Sequence, residues 1–211
     1  MQRPLSAASL RTHRSPGCTP MSDFHHSLFL WLNLSPSASP WSLSLARFAT
    51  VQLPAWVLVF AFSLAAVGQP RWRYMARQML LAMALAWLLA RGIQWALPIP
   101  RPFAQGLGHR WLAHAPSPGF PSSHASVAMA LGVVGWMSAP HAVGGVLLLA
   151  VGVLISWSRV ALGLHFPVDV LTGGLLATVV AWIVVHRWSR VRAWFAGARA
   201  EAPVALPQRL D

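Results

Sequence analysis

The chain has 211 residues, of which 56% are hydrophobic and only 9% charged, against about 25% charged residues in an average soluble domain. Its formal net charge of +12 is carried by arginine alone, because the sequence contains no lysine. This balance excludes an ordinary soluble surface, and it argues against nucleic acid as a partner, since the arginines cluster between and after apolar stretches and form no stripe with interleaved aromatics.

Residues 1–24 are rich in Ser, Pro and Arg and lack the continuous apolar core of a cleavable signal peptide, so they read as a disordered extension, with Met21 an alternative start. Residues 27–34 are apolar but too short to span, and with the Ser/Pro break at 35–40 they predict an interfacial helix carrying Trp31 and Trp41 at headgroup depth. Five stretches of spanning character follow, at about 50–68, 79–98, 123–138, 142–158 and 168–186. The expected class is therefore an all-α integral membrane bundle of about five transmembrane helices. Its organisation is an extension (1–24), a membrane domain (25–188) and a basic cytoplasmic tail (189–211).

Arg71, Arg73 and Arg77 lie between the first two spans, and Arg187, Arg190, Arg192 and Arg199 follow the fifth. The positive-inside rule puts both groups in the cytoplasm and the N-terminus outside. Arg3, Arg11, Arg14 and Arg47 then stand on the disfavoured side. The same topology brings three polar segments to the outer face: the end of the second span, the start of the third, and the turn between the fourth and fifth. Polar groups at membrane depth are costly and are retained where they face a cavity, a partner or a substrate path. Cys18 is the sole cysteine, and Asp169 is the only acid away from the chain ends, the others being Asp23, Glu201 and Asp211. Neither a thiolate nor a carboxylate cluster is available for a metal, and His109 and His114 read as part of a wet loop.

In the turn Ser158–Asp169, Pro167 fits the first position of a helix, which places His165 beside a helix N-terminus, an end that favours phosphate. Asp169, four residues on, fits two roles: a cap on that helix, or a partner that fixes the imidazole tautomer and frees the other nitrogen as nucleophile. Arg159 adds a planar fork of donors suited to phosphate oxygens. In Pro121-Ser122-Ser123-His124 a serine cap opens another helix, with His124 placed to act as general acid or to stand by as an ordinary surface histidine. At the end of the second span, Arg101 fits a phosphate ligand or a snorkelling anchor, and Arg91 and Gln94 share one helix face.

Together these segments resemble the type 2 phosphatidic acid phosphatase family, whose signature is Lys-x6-Arg-Pro, Pro-Ser-Gly-His and Ser-Arg-x5-His-x3-Asp. The third motif is complete from Ser158 to Asp169, the second has Ser123 for glycine, and the first has Gln94 for lysine. Arg-Pro-Phe at 101–103 and Gly-Leu-His-Phe-Pro-Val-Asp at 163–169 look most like the bacterial undecaprenyl-diphosphate phosphatases of the bacitracin-resistance type. The resemblance implies a lipid phosphate or diphosphate phosphatase of the bacterial inner membrane with its site facing the periplasm, no cofactor and no metal. It also implies a phosphohistidine intermediate, with His165 as nucleophile, Asp169 as its orienting partner and His124 as acid. Arg101, Ser122, Ser123, Arg159 and Gln94 would bind phosphate. The alternatives are a phosphatidate or phosphatidylglycerophosphate phosphatase, a lipid A phosphatase or phosphotransferase, and, since Gln94 removes a charge, a non-catalytic protein that binds lipid phosphate.

Overall fold

The computed structural model describes residues 20–200, and among them every regular element is helical. In chain order these are α1 (Pro20–Leu32), α2 (Pro40–Val51), α3 (Leu53–Val67), α4 (Pro70–Ala96), a short 3-10 turn (Pro102–Gln105), α5 (Ser123–Ser138), α6 (Ala142–Ala161) and α7 (Pro167–Ala200). Proline stands in the first turn of α2, α3, α4 and α7, where its missing N–H and fixed φ cost nothing. Ser39 completes the start of α2 by accepting the Ser42 N–H at 3.2 Å.

Among the described residues three helices are long and apolar enough to cross a membrane: α4, α6 and α7 as far as Trp188. The expected first span, about 50–68, falls on α3, which meets α2 at a 43° bend; the two are long and apolar enough to cross only as a pair, as a broken span or a re-entrant loop. Gln52 ends α2 and precedes α3, whose Pro54 has no N–H to continue the ladder. The expected third span is α5, which has 16 residues and so rises only about 24 Å. It packs against α4, α6 and α7 and begins at the polar cavity described below, so it need not cover the full bilayer thickness.

Small residues let α5 approach α6 closely. A side chain at Gly152 would meet the Ala128 carbonyl oxygen at 2.7 Å, and one at Gly132 would meet Leu149 Cα at 3.0 Å. Such contact substitutes for hydrophobic driving force between helices that lipid already surrounds. The bundle interior is filled by Met75, Met79, Met83, Leu131, Val134 and Ile155, among others. Outward stand Leu58, Phe60, Leu88, Leu147, Leu171 and Ile183, an apolar exterior that water would not tolerate but lipid does. Trp31 and Trp41 are each 81% exposed, on either side of the α1–α2 break, as headgroup anchors would be.

Of the expected extension, residues 1–19 lie outside the described residues, whereas Pro20–Phe24 already belong to α1. At the other end α7 runs through the expected boundary at 188 to Ala200, and residues 201–211 lie outside the description.

Candidate active site

The turn between α6 and α7 is built to present His165. Gly163 takes φ +74°, and any side chain there would run into the His109 carbonyl. The turn is therefore left-handed, a conformation glycine adopts without strain. Asn33, at the end of α1, holds it from the other side: its amide donates to the carbonyls of Ala161 (3.0 Å) and His109 (3.1 Å), and its oxygen accepts the His109 N–H at 2.7 Å. Phe29 packs edge-on against Phe166, with ring centroids 5.3 Å apart. These supports are long-range and had no local signal in the sequence.

Asp169 occupies the first turn of α7, and its Oδ2 accepts both the Phe166 N–H at 2.9 Å and a bond from His165 Nδ1 at 3.3 Å. Helix capping and imidazole orientation are thus done by one oxygen. On the far side of the ring, Arg101 Nη1 lies 2.7 Å from His165 Nε2. A guanidinium can only donate, so Nε2 is the acceptor and the ring proton sits on Nδ1, facing Asp169. Burial, followed by the nearby charges of Arg159 and Arg101, pushes the His165 pKa well below its ordinary 6.5. The ring is therefore neutral, with its lone pair on Nε2. Arg101 is itself fixed, donating to the carbonyls of Ser117 (2.9 Å), Leu164 (3.0 Å) and Pro118 (3.2 Å).

Arg159 is 2% exposed, and among the described residues its Nε and one terminal nitrogen meet no hydrogen-bond acceptor. A buried guanidinium without partners is costly unless an anion completes it. Its neighbour Ser158 turns away into the bundle, donating to the Ile155 carbonyl at 2.7 Å and meeting Thr50 Oγ1 at 2.6 Å. Ser122 is fully buried and caps α5 through Ala125 N–H (3.4 Å), while its own N–H donates to the Asp169 carbonyl at 3.0 Å. It ties the second motif to the third. Ser123 and His124 instead line a cavity of about 260 Å³ together with Gln94, Arg101, His165, Arg91, His114 and Trp87. His124 makes no hydrogen bond to protein among the described residues.

All eight sequence-predicted residues thus lie in or directly behind one site. Gln94, Arg101, Ser123, His124 and His165 line the cavity, and Ser122, Arg159 and Asp169 stand behind it. Gln94 donates to the Pro121 carbonyl at 2.7 Å and Ser123 Oγ at 2.9 Å. A second, apolar cavity of about 220 Å³, lined by Val57, Leu58, Met83, Val127 and Ile155, shares Trp87, Ser123 and His124 with the first. His114 was expected in a wet loop, yet it lines the polar cavity, because the loop between the 3-10 turn and α5 folds back over Arg101.

A family model described as the PAP2 superfamily matches residues 75–193. The chain is 33% identical over 185 residues to YbjG of Escherichia coli (strain K12), a candidate undecaprenyl-diphosphatase, with 80% of this chain and 89% of that protein covered. It is 34% identical over 98 residues to the undecaprenyl-diphosphatase BcrC of Bacillus subtilis (strain 168), covering 43% of this chain and 45% of the relative. Among solved structures, Aquifex aeolicus LpxE superposes with a TM-score of 0.60 at 22% identity, over 76% of this chain and 93% of that one. A transmembrane PAP2-type phosphatidylglycerolphosphate phosphatase from Bacillus subtilis also gives 0.60, at 19% identity, over 81% and 87%. At these identities the structures speak to the fold alone, and that fold is the all-helical membrane class expected from the sequence.

Proposed function

The chain belongs to the PAP2 superfamily and is an integral membrane lipid phosphatase; on that premise we propose that it hydrolyses a polyprenyl diphosphate, of the undecaprenyl type, through a phosphohistidine at the outer face of the bacterial inner membrane. The observation that carries the reading is the position of the two histidines. His165 offers Nε2 to the polar cavity beside Arg101, with Arg159 behind it, whereas His124 stands where that cavity meets the apolar one. A lipid phosphate with its tail in the apolar cavity has its phosphorus toward His165 and its bridging oxygen toward His124.

In the first step Nε2 attacks phosphorus as Arg101 transfers its bond from Nε2 to a phosphate oxygen. The bond from phosphorus to the bridging oxygen breaks, its electron pair stays with that oxygen, and protonated His124 supplies a proton. Asp169 holds the Nδ1 proton and stabilises the ring as it becomes cationic. Arg159, with its unpartnered nitrogens, and Arg101 neutralise the equatorial oxygens. Ser123 adds a contact from the start of α5, while Ser122 and Gln94 hold that segment in place. In the second step water, deprotonated by His124, attacks phosphorus and releases inorganic phosphate, restoring His165.

Phosphate release by the purified protein in detergent, with EDTA present, tests this on undecaprenyl diphosphate, phosphatidate, phosphatidylglycerophosphate and lipid A. The expected result is turnover under chelation with the highest kcat/KM on the diphosphate. A preference for one of the other lipids overturns the substrate, and loss of activity that added metal restores overturns the mechanism.

A further inference from the structure

Gln94 leaves the site one charge short of the family's first motif, and a different cation stands beside it. Arg91 lines the same polar cavity as His165 and His124, and its Nη1 donates to Gln94 Oε1 at 2.8 Å. The Gln94 amide nitrogen is committed to Pro121 and Ser123, which turns its oxygen toward Arg91. Among the described residues Arg91 makes no other hydrogen bond and no ion pair. Its other donors are unengaged, and the side chain is exposed.

Its place along α4 indicates what it meets. Met83 and Trp87 line the apolar cavity, and Trp87, Arg91 and Gln94 line the polar one, so one helix face leads from the tail region to the site of attack. Arg91 lies on this face between Trp87, which both cavities share, and Gln94, and it lines the same cavity as His165.

We propose that Arg91, held by Gln94, binds the lipid-linked phosphate of a diphosphate substrate and thereby selects lipid diphosphates over lipid monophosphates. The inference rests on the phosphohistidine reading above. When Nε2 attacks the terminal phosphorus, the bridging P–O bond breaks and its electron pair remains on the lipid-linked phosphate, which departs. Arg91 neutralises the charge that grows there. A lipid monophosphate presents no second phosphate to Arg91, and its departing alkoxide depends on the proton from His124.

The test compares the wild-type protein with Arg91→Ala, Arg91→Gln and Arg91→Lys on farnesyl diphosphate and farnesyl phosphate. Loss of a charged hydrogen bond to the departing phosphate lowers the ratio of the two kcat/KM values by about ten- to hundredfold in the Ala and Gln variants, and Lys retains most of it. Equal losses on both substrates would assign Arg91 to the transferred phosphoryl group and overturn the proposal, as would an unchanged ratio. The Gln variant serves if Ala does not fold. Calorimetric binding of the methylene-bridged bisphosphonate and of the monophosphonate of farnesol separates the two readings. If wild-type protein releases no phosphate yet prefers the bisphosphonate in an Arg91-dependent way, the phosphatase mechanism fails and this inference stands. Absence of that preference overturns the inference alone.

Discussion

The two histidines are distinguished by what each touches. His165 has Asp169 on one nitrogen and Arg101 on the other, so its tautomer is determined before substrate arrives; His124 faces the cavity free of protein partners, as a group that must take and give protons does. His165→Ala is therefore expected to abolish the phosphoenzyme. His124→Ala should slow its formation by about 10²- to 10⁴-fold and be rescued by a leaving group of low pKa such as p-nitrophenolate. Rapid quench with radiolabelled substrate and alkaline work-up reads both; label at full yield in His165→Ala would reverse the assignment. The spacing His-x3-Asp made this pair legible, because i and i+4 meet on a helix start. The sequence left open whether Asp169 caps or orients, and its Oδ2 does both. Ser158 and Ser122 show the opposite case. The resemblance implies phosphate contact for Ser122, and Ser158 opens the third motif, whereas each is turned into the protein, and only three-dimensional neighbours such as Thr50 and the Asp169 backbone reveal why.

Among the elements, the α6–α7 turn depends most on distant parts of the chain. One side chain, Asn33 of the loop after α1, satisfies the Ala161 and His109 carbonyls and the His109 N–H. Asn33→Ala leaves the His109 carbonyl and N–H to find other partners, while the Ala161 carbonyl keeps the Leu34 N–H at 2.9 Å, at a cost of about 1–3 kcal/mol. The expected outcome is a lower unfolding temperature in detergent together with a reduced kcat, since the turn carries His165. An unchanged melting curve would show that Asn33 is dispensable. Apolar runs announced the spanning helices, and Pro167 announced the start of α7. They announced the bounds of α5, 123–138, but not the 43° bend between α2 and α3. The bend follows from Pro54 beside Gln52, and α5 can be short because it is enclosed by α4, α6 and α7. The enclosure of α5 is a consequence of packing, to which hydropathy is blind.

For the whole molecule, the arginines that begin α4 and the site occupy opposite ends of the same helices. Arg73 and Arg77 at the start of α4 share a surface cavity with Trp188 near the end of the α7 span, and Tyr74 packs edge-on against Trp188 at 5.9 Å. Gln94 and His165 lie at the other ends of those two helices. From Arg71 to Gln94 the helix rises about 35 Å, more than the roughly 30 Å hydrocarbon core. Arg47, which the charge rule disfavoured outside, donates to the Trp111 carbonyl at 3.4 Å, a structural contact at the site's end that accounts for a basic residue there. On the positive-inside rule the proposed orientation has the arginine-rich end in the cytoplasm and the site facing outward. Because Cys18 is the only cysteine, replacing it with Ala gives a background for single probes at exposed positions: Gln105→Cys, in the 3-10 turn beside Arg101, and Gln69→Cys, just before α4. In intact bacterial cells with a permeable outer envelope, a membrane-impermeant maleimide should label Gln105→Cys and spare Gln69→Cys until the inner membrane is broken. Labelling of Gln69→Cys in intact cells, with Gln105→Cys protected, would invert the molecule and place hydrolysis on the cytoplasmic side.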